Sequence, residues 1–195
     1  KPNELWHMDV TLYKTVNNII ARIYILIDNA SRFILNWKVA LYLSGKISLD
    51  MVRESYHKYL TPVDNNSVET MLLVDGGPEN NNADMNNFLN QELIPIRKLI
   101  AQKEIKFSNS MVEAFNKTLK YRHLFPHKII DYDSLVKHLK KCIPEYNNVR
   151  PHCAHKYLTP AQAYFGMGID LKRIQMLLKK ARQIRLAENK KVVCP

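Results

Sequence analysis

The sequence predicts an α/β domain built on a mixed five-stranded sheet. The observations behind this are the order of the apolar patterns and the chemistry of the breaks between them. Three strand-like runs come first, a helix–strand–helix–strand stretch follows, and helical periodicity alone occupies the last third. The order lacks the strict strand–helix alternation of a doubly wound domain and implies one edge built from hairpins.

In Leu5–Tyr13 the side chains Trp6, Met8, Val10 and Leu12 make one apolar face, with His7, Asp9 and Thr11 opposite, a period of two. Ala21–Asp28 and Arg32–Leu43 are the next strand-like runs, and Asp28-Asn29-Ala30-Ser31 between them has hairpin-turn chemistry. Ser48–Leu60 reads as a helix, started by Ser48 and stopped before Pro62. Met71–Val74 is a short buried strand ending at the breaker Asp75-Gly76-Gly77-Pro78. A short helix over Ala83–Glu92 and a fifth strand over Ile94–Ile100 follow, then a loop over Ala101–Asn109. From Ser110 the positions Met111, Val112, Phe115 and Leu119 have helical spacing. Another helix is expected over Ser134–Tyr146, interrupted or ended near Pro144. Thr159-Pro160 opens a further turn, with proline at the favoured first position. Ile169–Asn189 reads as a basic amphipathic helix with Ile174, Leu177, Leu178, Ala181 and Ile184 on its apolar side. The expected division is one domain over 1–166 and a basic helical extension or linker over 167–195.

At 195 residues, 46% hydrophobic and 24% charged, the composition is that of an ordinary globular chain. No apolar run approaches the roughly 18–20 residues that span a bilayer. The opening Lys1-Pro2-Asn3-Glu4 has no apolar signal core, and it runs straight into a strand pattern, as a fragment of something longer would. Cys142, Cys153 and Cys194 show no paired spacing, so reduced thiols in a cytosolic setting are expected. The net charge of +11 is unevenly spread. Residues 1–96 hold 8 Lys and Arg against 11 Asp and Glu, whereas residues 97–195 hold 21 against 7. Cationic side chains gain by displacing counterions from phosphates, so a polyanionic partner is the expectation, with DNA and RNA equally open on charge alone.

Three acids stand at element ends or in otherwise apolar elements. Asp9 interrupts a core-like strand, Asp75 ends another, and Glu113 lies in the first turns of a helix. Convergent carboxylates suffice for Mg²⁺, which takes oxygen ligands and keeps several waters. A pair of such ions can activate an oxygen nucleophile and neutralise the leaving oxygen of a phosphodiester. Each acid also has a plainer reading. Asp9 could face solvent on an edge strand, Asp75 could serve the turn, and Glu113 could close a capping box with Ser110 or pair with Lys117.

Several segments resemble the retroviral integrase core superfamily. They are Leu5-Trp6-His7-Met8-Asp9-Val10-Thr11, Ile27-Asp28-Asn29-Ala30-Ser31-Arg32, Val74-Asp75-Gly76-Gly77-Pro78-Glu79-Asn80 and the run from Asn109 to Lys120. The run Tyr146-Asn147-Asn148-Val149-Arg150-Pro151-His152, with Leu158-Thr159-Pro160-Ala161-Gln162-Ala163-Tyr164 after it, resembles the tail of bacterial insertion-sequence transposases. The blocks keep the family's order over about residues 4–166. One departure is Asn80, which stands where many relatives have an aromatic residue.

The resemblance implies an RNase H-like fold, with Asp9, Asp75 and Glu113 as the catalytic and metal-binding acids. Thirty-seven residues separate Asp75 from Glu113, near the spacing that names the DDE group. It implies two Mg²⁺ ions, replaceable by Mn²⁺, and DNA 3′-end cleavage followed by strand transfer. Element ends and target DNA are the implied partners of a homodimer or larger assembly, in bacterial cytoplasm at the nucleoid. Asn116, Lys117 and Lys120 share the helix face of Glu113 and are candidate DNA contacts, as are Arg150 and His152 in the tail block. The alternatives are an RNase H-like nuclease and a non-catalytic DNA-binding module derived from a transposase. No Walker loop is present, so no nucleotide cofactor is expected; there is likewise no Gly-x-Ser-x-Gly elbow and no Cys-x-x-Cys pair for zinc, and without a bilayer-length apolar run no membrane partner is expected.

Overall fold

The computed structural model describes residues 1–60, 69–80, 82–91, 94–101, 109–167 and 171–191. Five strands form one sheet in the order β3-β2-β1-β4-β5: β1 (Leu5–Lys14), β2 (Ile20–Asp28), β3 (Ile34–Ala40), β4 (Thr70–Val74) and β5 (Ile96–Ile100). β1, β2 and β3 pair antiparallel, while β4 lies parallel to both β1 and β5. The β2–β3 turn is held by Asp28, whose Oδ2 accepts from the Ser31 backbone N–H at 2.7 Å and from the Ser31 hydroxyl at 2.5 Å.

Helices cover both faces. Trp6, Met8, Tyr24, Leu26, Leu72 and Val74 pack under α1 (Gly45–Tyr59), α2 (Ala83–Leu89) and α5 (Pro160–Tyr164). Ile23, Ile25 and Ile27 pack under α3 (Ser110–Thr118) and α4 (Tyr132–Asn148). α3 continues directly into a π-helical turn, Leu119–Leu124. This is the RNase H-like fold that the family resemblance implied.

Both faces of β1 are therefore covered. His7 and Thr11 are buried along with Trp6 and Met8, whereas Leu12 is 53% exposed near the strand's end. The expected start of α1 at Ser48 moves to Gly45 after Ser44, because Ser48 is buried inside the helix. α4 does not stop at Pro144. Leu135, Leu139, Cys142, Ile143 and Tyr146 are buried along one face, and this packing offsets the roughly 3 kcal/mol that an interior proline costs a helix. Asn147 then ties α4 to β3, accepting from Ile34 N–H at 2.9 Å and donating to Ile34 C=O at 3.0 Å. α5 begins with a capping box between Thr159 and Gln162. Of the expected loop over Ala101–Asn109, residues 102–108 lie outside the described residues.

The chain divides into two compact units, Lys1–Phe165 and Gly166–Pro195. The second contains α6 (Leu171–Lys191), on which Leu177, Leu178 and Ile184 are exposed. No helix among the described residues is long and apolar enough to cross a membrane.

Candidate active site

The sheet register brings the first two acids together. β1 and β4 run parallel, and their last pair is Met8 with Val74. Continuing one residue sets Asp9 beside Asp75 at adjacent strand ends, where neighbouring strands lie about 4.8 Å apart. Alternation puts both side chains on the face covered by α3, since Asp9 follows the side of His7 and Asp75 that of Leu73, its partner in the pairing. Asp9 is thus on a central strand, not the edge strand of its plainer reading.

α3 supplies the third acid. Val112, Phe115 and Leu119 are buried toward the sheet, which leaves Glu113 on the exposed flank. A cavity of about 440 Å³ is lined by Asp9, Thr11, Glu113, Asn116, Lys117, Lys120, Tyr121 and Phe125. Asp9 and Glu113 therefore face the same space, and neither plain reading of Glu113 is realised. Asn109 precedes the helix and Ser110 is its first residue, so Ser110 cannot act as the cap. No ion pair joins Glu113 to Lys117 among the described residues.

Burial is the largest influence on Asp9 and raises its carboxyl above the usual aspartate range. The Asp75 and Glu113 charges raise it further, while its backbone hydrogen bond and Asn116 oppose them. Asn116, only 6% exposed, donates its amide to Asp9 Oδ2 at 2.6 Å. Expected as a DNA contact, it is placed to orient an acid. Lys117 is exposed and Lys120 half-buried on the same cavity wall.

The start of α3 is fastened to β1 by a residue whose role was not read from the sequence. The buried Asn109 accepts from His7 Nδ1 at 2.7 Å and donates to Met8 C=O at 3.0 Å. Because the Asn109 oxygen can only accept, His7 must carry its proton on Nδ1. Burial, the leading cause, lowers the His7 pKa and favours the neutral ring. The aromatic pair Tyr121 and Phe125, with ring centroids 5.3 Å apart edge to face, was also not anticipated as part of this wall. Both rings are exposed.

The donor set suits a hard cation in its chemistry: carboxylate oxygens gather there, and their mutual repulsion is what a divalent ion would relieve. As placed, no three His, Cys, Asp or Glu side chains among the described residues stand close enough together to hold an ion. Arg150 and His152 are elsewhere, in a separate cavity.

The integrase core domain family matches residues 106–160, a segment holding Glu113, Asn116, Lys117, Lys120, Arg150 and His152. No curated protein matches the chain. Among solved structures, a chain of the simian T-cell lymphotropic virus intasome, in complex with PP2A regulatory subunit B56 gamma, is 17% identical with a TM-score of 0.65. That match covers 87% of this chain, which spans 56% of the intasome chain. The HTLV-2 integrase catalytic core domain in complex with magnesium is 15% identical, with a TM-score of 0.61 and coverage of 84% and 97%. The BIV integrase catalytic core domain is 18% identical, with a TM-score of 0.61 and coverage of 84% and 95%. These structures share the RNase H-like fold with this chain, and its segment 106–160 matches the integrase core domain family.

Proposed function

We propose that the chain is the catalytic core of a transposase that cleaves DNA 3′ ends and joins them to target DNA. The observation that supports this reading is the placement of Asp9 beside Asp75 on the sheet face covered by α3, with Glu113 on that helix. The register sets the first two side by side, and the third lines the same cavity as Asp9. A hydroxyl, of water in cleavage and of a DNA 3′ end in joining, attacks the phosphodiester in line, with no covalent enzyme intermediate. When bound, divalent cations supply Lewis-acid activation of that hydroxyl and neutralise charge at the leaving oxygen. Asp9, Asp75 and Glu113 are the residues that would hold them, Mg²⁺ in the cell and Mn²⁺ as a substitute, two ions in all. The magnesium in the HTLV-2 integrase core supports use of a divalent ion.

The chain's own part is positioning. Asn116 fixes one oxygen of Asp9 through its amide. Asn109 holds the first turn of α3 against β1, and with it the backbone that presents Glu113. Lys117 and Lys120 reach backbone phosphates from the cavity wall. The tail from Tyr146 to Tyr164 favours a bacterial insertion-sequence enzyme acting on chromosomal DNA in the cytoplasm. Handling both element ends requires a homodimer or larger assembly, in keeping with the intasome and the trimeric and dimeric HTLV-2 cores.

The test is a joining assay on labelled element ends with Glu113→Gln. Joining is lost while DNA affinity stays within about twofold, because the change removes a charge at the reacting phosphate and no DNA anchor. Full joining by this variant would remove the assignment. A second reading, a non-catalytic DNA-binding module, has one observation on its side: the acids as placed do not close to ligating distance. Carboxylate-independent DNA binding with no Mg²⁺ uptake would support it. Cutting without joining would instead indicate a nuclease of the same fold.

A further inference from the structure

A second cavity lies on the other flank of α3. It has a volume of about 630 Å³, and its walls carry Arg32, Arg122, Arg150 and His152 above a floor that includes Phe115 and Tyr146. Among the described residues no acidic side chain lines it, and no carboxylate lies within ion-pair distance of any of the three arginines. Ser110, Ala114 and Thr118 of α3 border it, whereas Glu113, Lys117 and Lys120 border the acidic cavity. With Met111 and Phe115, which also border the first cavity, and Asn116, which also borders the second, the two sets lie roughly 140° apart on a helical wheel. The cavities therefore flank one helix whose diameter with side chains is about 10 Å.

Three guanidinium groups from distant parts of the chain converge here. Arg32 follows the β2–β3 turn with φ +63°, its Nη1 donating to Asn29 Oδ1 at 2.8 Å. Arg122 stands on the π-helical turn, and Arg150 follows α4. Gathering like charge costs free energy, and an apolar floor raises that cost by lowering the local dielectric. The same floor strengthens the attraction for an incoming anion. Guanidinium matches phosphate through paired N–H donors, which an ammonium does not provide.

We propose that this cavity binds a backbone phosphate of the DNA whose neighbouring segment lies in the acidic cavity, with Arg32, Arg122 and Arg150 as its ligands and His152 beside them. The strand crosses the exposed ridge of α3, and the basic cavity anchors it one helix width from the reacting phosphate. Only phosphate is touched, so binding is independent of sequence. The inference rests on DNA being the substrate.

The experiment measures the affinity of the full chain for a non-specific duplex as a function of salt, with Arg122→Ala/Arg150→Ala and the charge-keeping Arg122→Lys/Arg150→Lys. The slope of log K against log salt falls by roughly 0.9 for each phosphate that the protein no longer neutralises. In the alanine variant it drops by roughly one to two units and affinity near 0.15 M salt falls about tenfold, while the lysine variant keeps the slope. Cys153 lines the cavity and is exposed, whereas Cys142 is buried, so Cys153 reports occupancy once Cys194 is replaced by Ser. Duplex DNA should slow its modification by a thiol reagent at least about fivefold.

An unchanged slope in a folded alanine variant would overturn the proposal. So would unprotected Cys153 under saturating DNA, or protection by inorganic phosphate but not by DNA. Normal DNA binding with altered sedimentation would assign the cavity to a second copy instead. A wild-type chain with no affinity for DNA would sink the functional reading as well; wild-type slopes with Glu113-dependent joining would sink this inference alone.

Discussion

Asn109→Ala tests how the third acid is placed. The change removes the acceptor for His7 Nδ1–H and the donor to Met8 C=O, both in buried surroundings. A buried group left unpaired costs about 1–3 kcal/mol, and a carbonyl that keeps another partner sits at the low end. The expected loss is about 2–4 kcal/mol, since both groups are buried. At roughly 2–4 °C per kcal/mol for a chain of this size, the melting temperature falls by roughly 5–15 °C. Denaturant unfolding gives the free energy, and a cycle with His7→Leu isolates the shared bond. The Asn109 change should cost at least about 1 kcal/mol less once His7 is gone. Joining activity of the folded variant should fall about 100-fold, since a shift of about 1 Å at a reacting group costs that much. A loss below about 0.5 kcal/mol, or full additivity with His7→Leu, would show that the two side chains do not hold α3.

Three further outcomes follow from the same geometry. Asp9 is raised above its usual range chiefly by burial, so its contribution to stability is full below the unfolded aspartate pKa and is lost as pH rises through the folded value. Asp9→Asn should therefore raise the melting temperature of the metal-free protein at neutral pH and abolish joining; a lower melting temperature would contradict the strain assigned to this site. His7, His123, His138, His152 and His155 are all lowered from 6.5, in each case first by burial. The stability they confer is present above 6.5 and fades as pH falls from there through their folded values, which acid melts between pH 7 and 5 should register. Tyr121→Ala should weaken single-stranded DNA binding by about 1–3 kcal/mol if its exposed ring stacks on a base, and leave the melting temperature nearly unchanged.

Much of this arrangement was legible in the residues, for physical reasons that differ by element. The strands showed because β1, β2 and β4 alternate or run apolar between strong turn residues. Asp9, Asp75 and Glu113 stood out because acids are costly in such elements unless something uses them. Other features depend on tertiary contacts that no local pattern encodes. Pro144 reads as a stop, yet α4 passes through it because its apolar face continues to Tyr146. Asn116 reads as a polar residue on a DNA-facing surface, whereas its amide is buried against Asp9. Asn109 lies four residues before Glu113, and only the folded chain shows that its partner is His7, 102 positions away. The convergence of Arg32, Arg122 and Arg150 was equally hidden, since each sits in a different block.

Whether Asp9, Asp75 and Glu113 jointly grip divalent cations decides the catalytic reading. Crystals soaked in Mn²⁺ and measured at its absorption edge answer that question without an activity assay. An anomalous peak ligated by Asp9 and Asp75 is expected, with Glu113 drawn in beside it, and no peak in Asp75→Asn. Saturating Mn²⁺ with no density among these side chains, or a peak that persists in Asp75→Asn, would contradict it.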